Sequence, residues 1–186
     1  MILLGFMNYS FSQEYQKVSD IKKVIWLGVD FTAAKFTLVT EDPAVIVNQY
    51  LKAINVLIIS EREKFNIRSF FKVDEVSNNI ELAIEFNQQI DPSALVIFDD
   101  YKLDVDQVKD VIKKYDVEDK SGAGLIFVAE NLNKVSQTGS YYVCFFDLST
   151  KEIIDCKRMT GAVSGIGFRN YWACSIYNVM KTWALQ

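Results

Sequence analysis

The sequence predicts a mixed α/β sandwich: a mixed sheet ending in a C-terminal antiparallel meander, with helices packed on it in a single domain. Three observations carry this. The run Lys-Val-Ile-Trp-Leu-Gly-Val-Asp at residues 23–30 is β-branched and apolar and reads as a buried strand. An Asp-Pro start at Asp42-Pro43 opens a long stretch with helical apolar spacing. Three strands then follow closely between residues 125 and 159 and lead into an aromatic helix at residues 168–183. No repeat and no second domain interrupts this order, so the order is not that of a doubly wound parallel sheet.

Taken in turn, residues 34–40 extend the first strand or form a short second one. Asp42 caps the first helix and Pro43 occupies its first position. Val47, Leu51, Ile54 and Ile58, with Ile46, Tyr50, Ala53 and Leu57 beside them, give that helix a wide apolar face. Residues 54–59 alone also fit a strand. Glu61-Arg62-Glu63-Lys64 reads as its solvated end, with Asn66 as terminator. Residues 67–98 carry the weakest pattern: 67–73 fit a short strand, 79–89 a helix or an extended piece, Pro92 breaks what precedes it, and 95–98 fit a strand. Asp104 opens the next helix, with Val105, Val108, Val111, Ile112 and Tyr115 on one face and Gln107 completing a capping box. A turn at 121–124 precedes a strand at 125–129, and 131–140 read as a polar connection. Two further strands, 141–147 and 152–159, form a hairpin. Residues 161–167 make a glycine-rich turn into the last helix.

Composition bounds the chemistry. The chain has 186 residues, half of them apolar and 13% aromatic, with 8 Gly and 2 Pro, which excludes disorder and low-complexity linkers. A chain of this length buries about 70% of its unfolded surface. With 20 basic and 24 acidic side chains the net charge is −4 and no basic block occurs, so no nucleic-acid partner is expected. There is no histidine, which removes every mechanism built on imidazole, from Ser-His-Asp hydrolysis to His-ligated zinc. Asp99-Asp100-x-x-x-Asp104-x-Asp106 lacks the glycine and distal glutamate of a calcium loop, so no metal or cofactor is expected. No catalytic residue is assigned. A hydrolase or lyase using paired carboxylates stands as the alternative to a non-enzymatic protein.

The start, Met1-Ile2-Leu3-Leu4-Gly5-Phe6-Met7, is apolar, and Ser10 and Ser12 give the small-x-small pattern of a signal-peptidase site, with cleavage after Ser12. Residues 1–12 therefore read as the remnant of a signal peptide, 13–186 as the domain, and the expected location is periplasmic or secreted. A cytoplasmic protein whose N-terminal arm packs on the domain is the alternative. No later apolar run approaches the ~18 residues of a membrane span.

Two clusters merit attention. In the hairpin, a three-residue loop that closes Leu148 on Glu152 puts Cys144 opposite Cys156, which suits either a disulfide or two small buried hydrophobes. At the last turn, Gly165 and Gly167 lead into Arg169 and Asn170, whose backbone N–H groups and guanidinium fit a small anion; the glycines equally well serve only to let the chain turn. Arg169 and Asn170 also have the chemistry to reach Asp30 at the end of the first strand. Trp172, Ile176, Val179 and Trp183 form one apolar stripe, the expected core contact.

The stretch Tyr142-Val143-Cys144-Phe145-Phe146-Asp147-Leu148-Ser149-Thr150-Lys151-Glu152-Ile153-Ile154, then Lys157-Arg158-Met159-Thr160-Gly161, resembles a hairpin of exported bacterial envelope proteins whose fold is like the TolB N-terminal domain and the curli-secretion lipoprotein. Lys151 stands where that pattern has Gly. With Gly165-Ile166-Gly167-Phe168-Arg169-Asn170-Tyr171-Trp172, it also resembles a group of uncharacterised exported bacterial proteins. The resemblance covers residues 125–180 and implies an envelope location, envelope proteins as partners, and a binding or assembly role, with no catalytic residue to carry over.

Overall fold

A computed structural model of the protein describes residues 17–186; the leader read at residues 1–12 lies outside the described residues. The architecture is the expected mixed α/β sandwich, built on a seven-stranded sheet. Strand β1 (Lys23–Asp30) and the short β2 (Lys35–Thr37) lie end to end beside one long strand, β5 (Ala123–Asn133), both parallel to it. Outside them β3 (Glu75–Asn78) pairs with β1 and β4 (Val96–Ile97) with β2, again parallel. On the other side of β5, β6 (Thr138–Asp147) and β7 (Ile153–Ala162) complete the antiparallel meander.

Helix α1 (Pro43–Ser60) begins as expected: the Asp42 carboxylate accepts from Ala44 N at 2.7 Å, and Pro43 needs no partner. A π turn at Ile46–Tyr50 interrupts it before the regular helix resumes. Ile46, Val47, Leu51, Ile54, Leu57 and Ile58 are all buried against the sheet. Among the described residues α1 is the one helix long and apolar enough to cross a membrane, and here it is a core helix.

Residues 67–73 correct the strand expectation. Asn66 does not end a helix but starts one, α2 (Ile67–Phe71), by accepting from Ser69 N at 3.0 Å; α1 has already stopped at Ser60 and residues 61–64 form a turn. The cap decides: a strand would put Ser69 on the same buried face as Ile67 and Phe71, whereas here Ser69 is exposed. Helix α3 (Glu81–Gln88) resolves the second ambiguity, and α4 (Val105–Lys113) has the predicted capping box, with Asp104 N donating to Gln107 Oε1 at 2.9 Å. The polar connection read at 131–140 is also corrected. β5 runs on to Asn133 and β6 starts at Thr138, because Leu132 is buried in the core and the polar neighbours are hydrogen-bonded at the end of the sheet.

Side chains alternate across the sheet. Leu125, Phe127 and Ala129 of β5 with Tyr141, Val143 and Phe145 of β6 face α1, α2 and the last helix, α5 (Phe168–Ala184). Ile126, Val128, Cys144 and Phe146 face α4. The expected stripe of α5, Trp172, Ile176, Val179 and Trp183, is buried. Gly161, read as part of a turn, lies inside β7 directly opposite Gly139 of β6, and Ser175 of α5 sits in the notch these two glycines leave.

The hairpin turn differs from the expected one. Asp147 N, not Leu148, closes on Glu152 through its carbonyl at 2.9 Å, which makes the loop one residue longer. A bulge between Phe145 and Phe146 then takes that residue back, so Cys144 and Cys156 remain register partners with Cα atoms 4.0 Å apart and sulfurs within bonding distance. Lys151 has φ 65°, a left-handed conformation that glycine adopts without strain.

Candidate functional site

The carboxyl end of β1 is shaped by a bulge at Gly28, whose φ is 91°. The bulge turns the peptide groups of Val29 away from the ladder, and two buried asparagines receive them. Asn55 of α1 accepts from Val29 N at 2.7 Å and donates to Val29 O at 3.0 Å. Asn87, near the end of α3, donates to the same carbonyl at 2.9 Å and accepts from Phe31 N at 2.7 Å. A Cβ on Gly28 would lie 2.5 Å from Asn55 Oδ1, so glycine is required there on both counts.

Asp30 follows and is fully buried. Its carboxylate accepts from the Tyr115 hydroxyl at 2.7 Å and from Thr32 N and Oγ1 at 2.7 and 2.6 Å. It therefore faces α4, and the expected contact with Arg169 or Asn170 is not made. Those two are exposed and bond each other, Arg169 Nε donating to Asn170 Oδ1 at 3.2 Å. The reason is topological: the sheet separates Asp30's side chain, on the α4 face, from α5 on the opposite face.

Burial, with the Asp30 charge beside it, pushes the Tyr115 hydroxyl well above its ordinary value of 10.0, and burial does the same for Tyr141. Both values are raised in the folded state, so their contribution to stability is complete below the unfolded-state value and is lost as pH rises past it. Unfolding free energy should fall above pH 10.0 by about 1.4 kcal/mol per pH unit for each buried phenol. Urea midpoints at pH 9 to 11, measured in parallel for Tyr115→Phe, check this: the variant should show the smaller slope.

Beyond these residues, the ends of β2, β4, β5 and β7 enclose an open polar groove of about 610 Å³. At its edge the buried Glu130 of β5 accepts from Leu103 N at 3.0 Å and from Arg158 Nε and Nη2 at 2.8 and 2.5 Å. This bond holds the Arg158 guanidinium protonated above its already high ordinary value. The Thr37 hydroxyl lies 2.8 Å from Asn131 Oδ1, and Asn133 Nδ2 donates to Asp100 Oδ1 at 2.7 Å. Asn131 and Asn133 are 7% and 8% exposed. On the groove the Asn131 amide nitrogen, the Asp99 carboxylate, Arg158 Nη1, the Tyr101 hydroxyl and the Lys102 ammonium make no side-chain hydrogen bond among the described residues, and all are open to solvent.

The residues read from the last turn lie elsewhere. Gly165 and Gly167 line a smaller hollow of about 200 Å³ with Phe168, Tyr171 and Lys134, and Arg169 does not border it. The cation that borders the hollow is Lys134, its Nζ 3.8 Å from the centre of the Tyr171 ring. No three metal-ligating side chains converge among the described residues. Sequence reading missed the groove because its walls come from residues near 37, 98–102, 131–140 and 158–160. A charged residue interrupting an apolar strand, Glu130 after Ala129, was the available signal.

No protein-family model matches this chain, and neither the curated proteins nor the solved structures yield a match. The groove is therefore interpreted from its own chemistry.

Proposed function

We propose that this protein is an exported, non-enzymatic binding module of the cell envelope, and that the groove at the strand ends holds its ligand. One observation carries the binding part: solvent-open donors and acceptors with no protein hydrogen bond, on Asn131, Asp99, Tyr101, Lys102 and Arg158, gather at one opening. Crevices outside the carboxyl ends of parallel strands are a recurrent place for ligands, since the ends of several strands can each contribute one side chain. The fixed side chains around it favour recognition of a preformed shape, because Thr37, Asn133 and Glu130 are already held in place by protein partners. The envelope part is supported by the resemblance of the Cys144–Cys156 hairpin and by the facing cysteines, which suit an oxidising compartment.

Fractionation of native cells followed by N-terminal sequencing tests the place. Recovery from the envelope with Gln13 as first residue is the expected result, and a cytosolic product beginning at Met1 overturns it. The function is tested by thermal shift of the full chain against a panel of sugars, amino acids, nucleotides and inorganic anions. A saturable rise in melting temperature with one class is expected, and no rise with any class removes the binding reading.

A further inference from the structure

We infer that the ligand of the strand-end groove is a neutral saccharide, an inference that rests on the binding reading above. The solvent-open groups without a protein partner are of both kinds and lie on one opening: the Asp99 carboxylate only accepts hydrogen bonds, the Asn131 amide nitrogen, Arg158 Nη1 and the Lys102 ammonium only donate them, and the Tyr101 hydroxyl does both. A ligand that satisfies them must present donors and acceptors together. Hydroxyl groups do this one by one, each giving one proton and accepting through its lone pairs, and sugars carry them on adjacent carbons.

Charge narrows the choice. Glu130 cancels Arg158 through two hydrogen bonds, so the groove has no uncommitted guanidinium fork for a phosphate or carboxylate. Asp99 and Asp100 repel an anion, and Lys102 on the same wall opposes a simple cation. A neutral polar molecule meets neither penalty.

The rim adds an apolar half to the site. Phe98, next to Asp99, is 81% exposed, and the Tyr101 ring lies on the same wall. A phenyl ring left in water beside a polar groove has an uncovered apolar face, and the C–H face of a pyranose ring is a partner of matching size and polarity. Planar polar side chains on one wall and an open aromatic face at the rim together fit a ring with polar edges and apolar faces.

The test is saturation-transfer NMR on the full chain with glucose, galactose, mannose, N-acetylglucosamine and their trisaccharides, alongside glycine, glutamate and inorganic phosphate. Saturation of one of the sugars is expected. Phe98→Ala and Asp99→Asn alter exposed side chains and should keep the wild-type melting temperature while weakening sugar binding about tenfold or more, a loss of about 1.4 kcal/mol. Binding of glycine, glutamate or phosphate with no sugar signal overturns the saccharide inference and leaves the binding reading standing. Silence from every probe here and in the thermal-shift panel removes both. Sugar binding unchanged in both variants shows that the site lies elsewhere.

Discussion

Gly161→Ala should lower the unfolding free energy by about 3 kcal/mol, the upper part of the range for forcing an atom into a filled core. A Cβ at this position would run into the backbone carbonyl of Ser175, with its carbonyl carbon 2.9 Å away and Cα 3.2 Å away. Backbone cannot rotate out of the way as a side chain can, so α5 would have to lift from the sheet. Across the strand pair Gly139 is tight as well, but against side chains, with Ser175 Oγ at 2.5 Å from an added Cβ. Lifting α5 would also break the 2.7 Å contact between the Tyr141 and Ser175 hydroxyls. Urea denaturation followed by tryptophan fluorescence reads the effect directly, since Trp172 and Trp183 lie on α5. Ser164→Ala, exposed three residues further on, should change stability by less than about 0.5 kcal/mol. A Gly161→Ala midpoint equal to wild type would mean that the helix does not approach this closely.

Asn55→Leu is the second large effect. Leucine matches the volume but offers no acceptor, so the buried N–H of Val29 loses its only partner, and the expected cost is about 2–3 kcal/mol. Val29 O keeps its bond from Asn87, which is why the loss stays short of both groups. Asn87→Leu should cost a similar amount by freeing Phe31 N. The double variant should lose more than the two single losses added together, because only then is Val29 O left bare as well. Chemical denaturation of the four proteins completes the cycle. Strict additivity would show that the shared carbonyl finds another partner.

Much of the fold was legible in the residues, and the reasons are local. Asp42-Pro43 and Asp104 with Gln107 are capping signals that act within a few residues, and both helices begin where those signals stand. β6 is readable as a near-continuous apolar run at 141–146 because both faces of the sheet are covered. Misreadings fell where a distant contact decides. Gly161 looks like turn chemistry among its neighbours, yet Ser175, on another element, is what requires it. Asn131 and Asn133 read as loop because their polarity serves the sheet's end rather than solvent. Asn66 fits either side of a helix boundary, since a cap and a terminator share residue types, and its bond to Ser69 N decides. The cysteine pairing came out in register although the turn did not, two one-residue differences cancelling. The candidate site was the least legible part: nothing in the order of residues joins Thr37 to Arg158, and only the sheet does.

The division of one sheet position between β1 and β2 has a temporal meaning. β2 meets β5 across almost a hundred residues, Phe36 opposite Leu132, and a partly synthesised chain has no strand there to meet. Thr37 and Asn131 thus come together only once the second half of the molecule exists, and Arg158 arrives later still. The opening is thus assembled last, and no partial chain that stops short of residue 158 can present it.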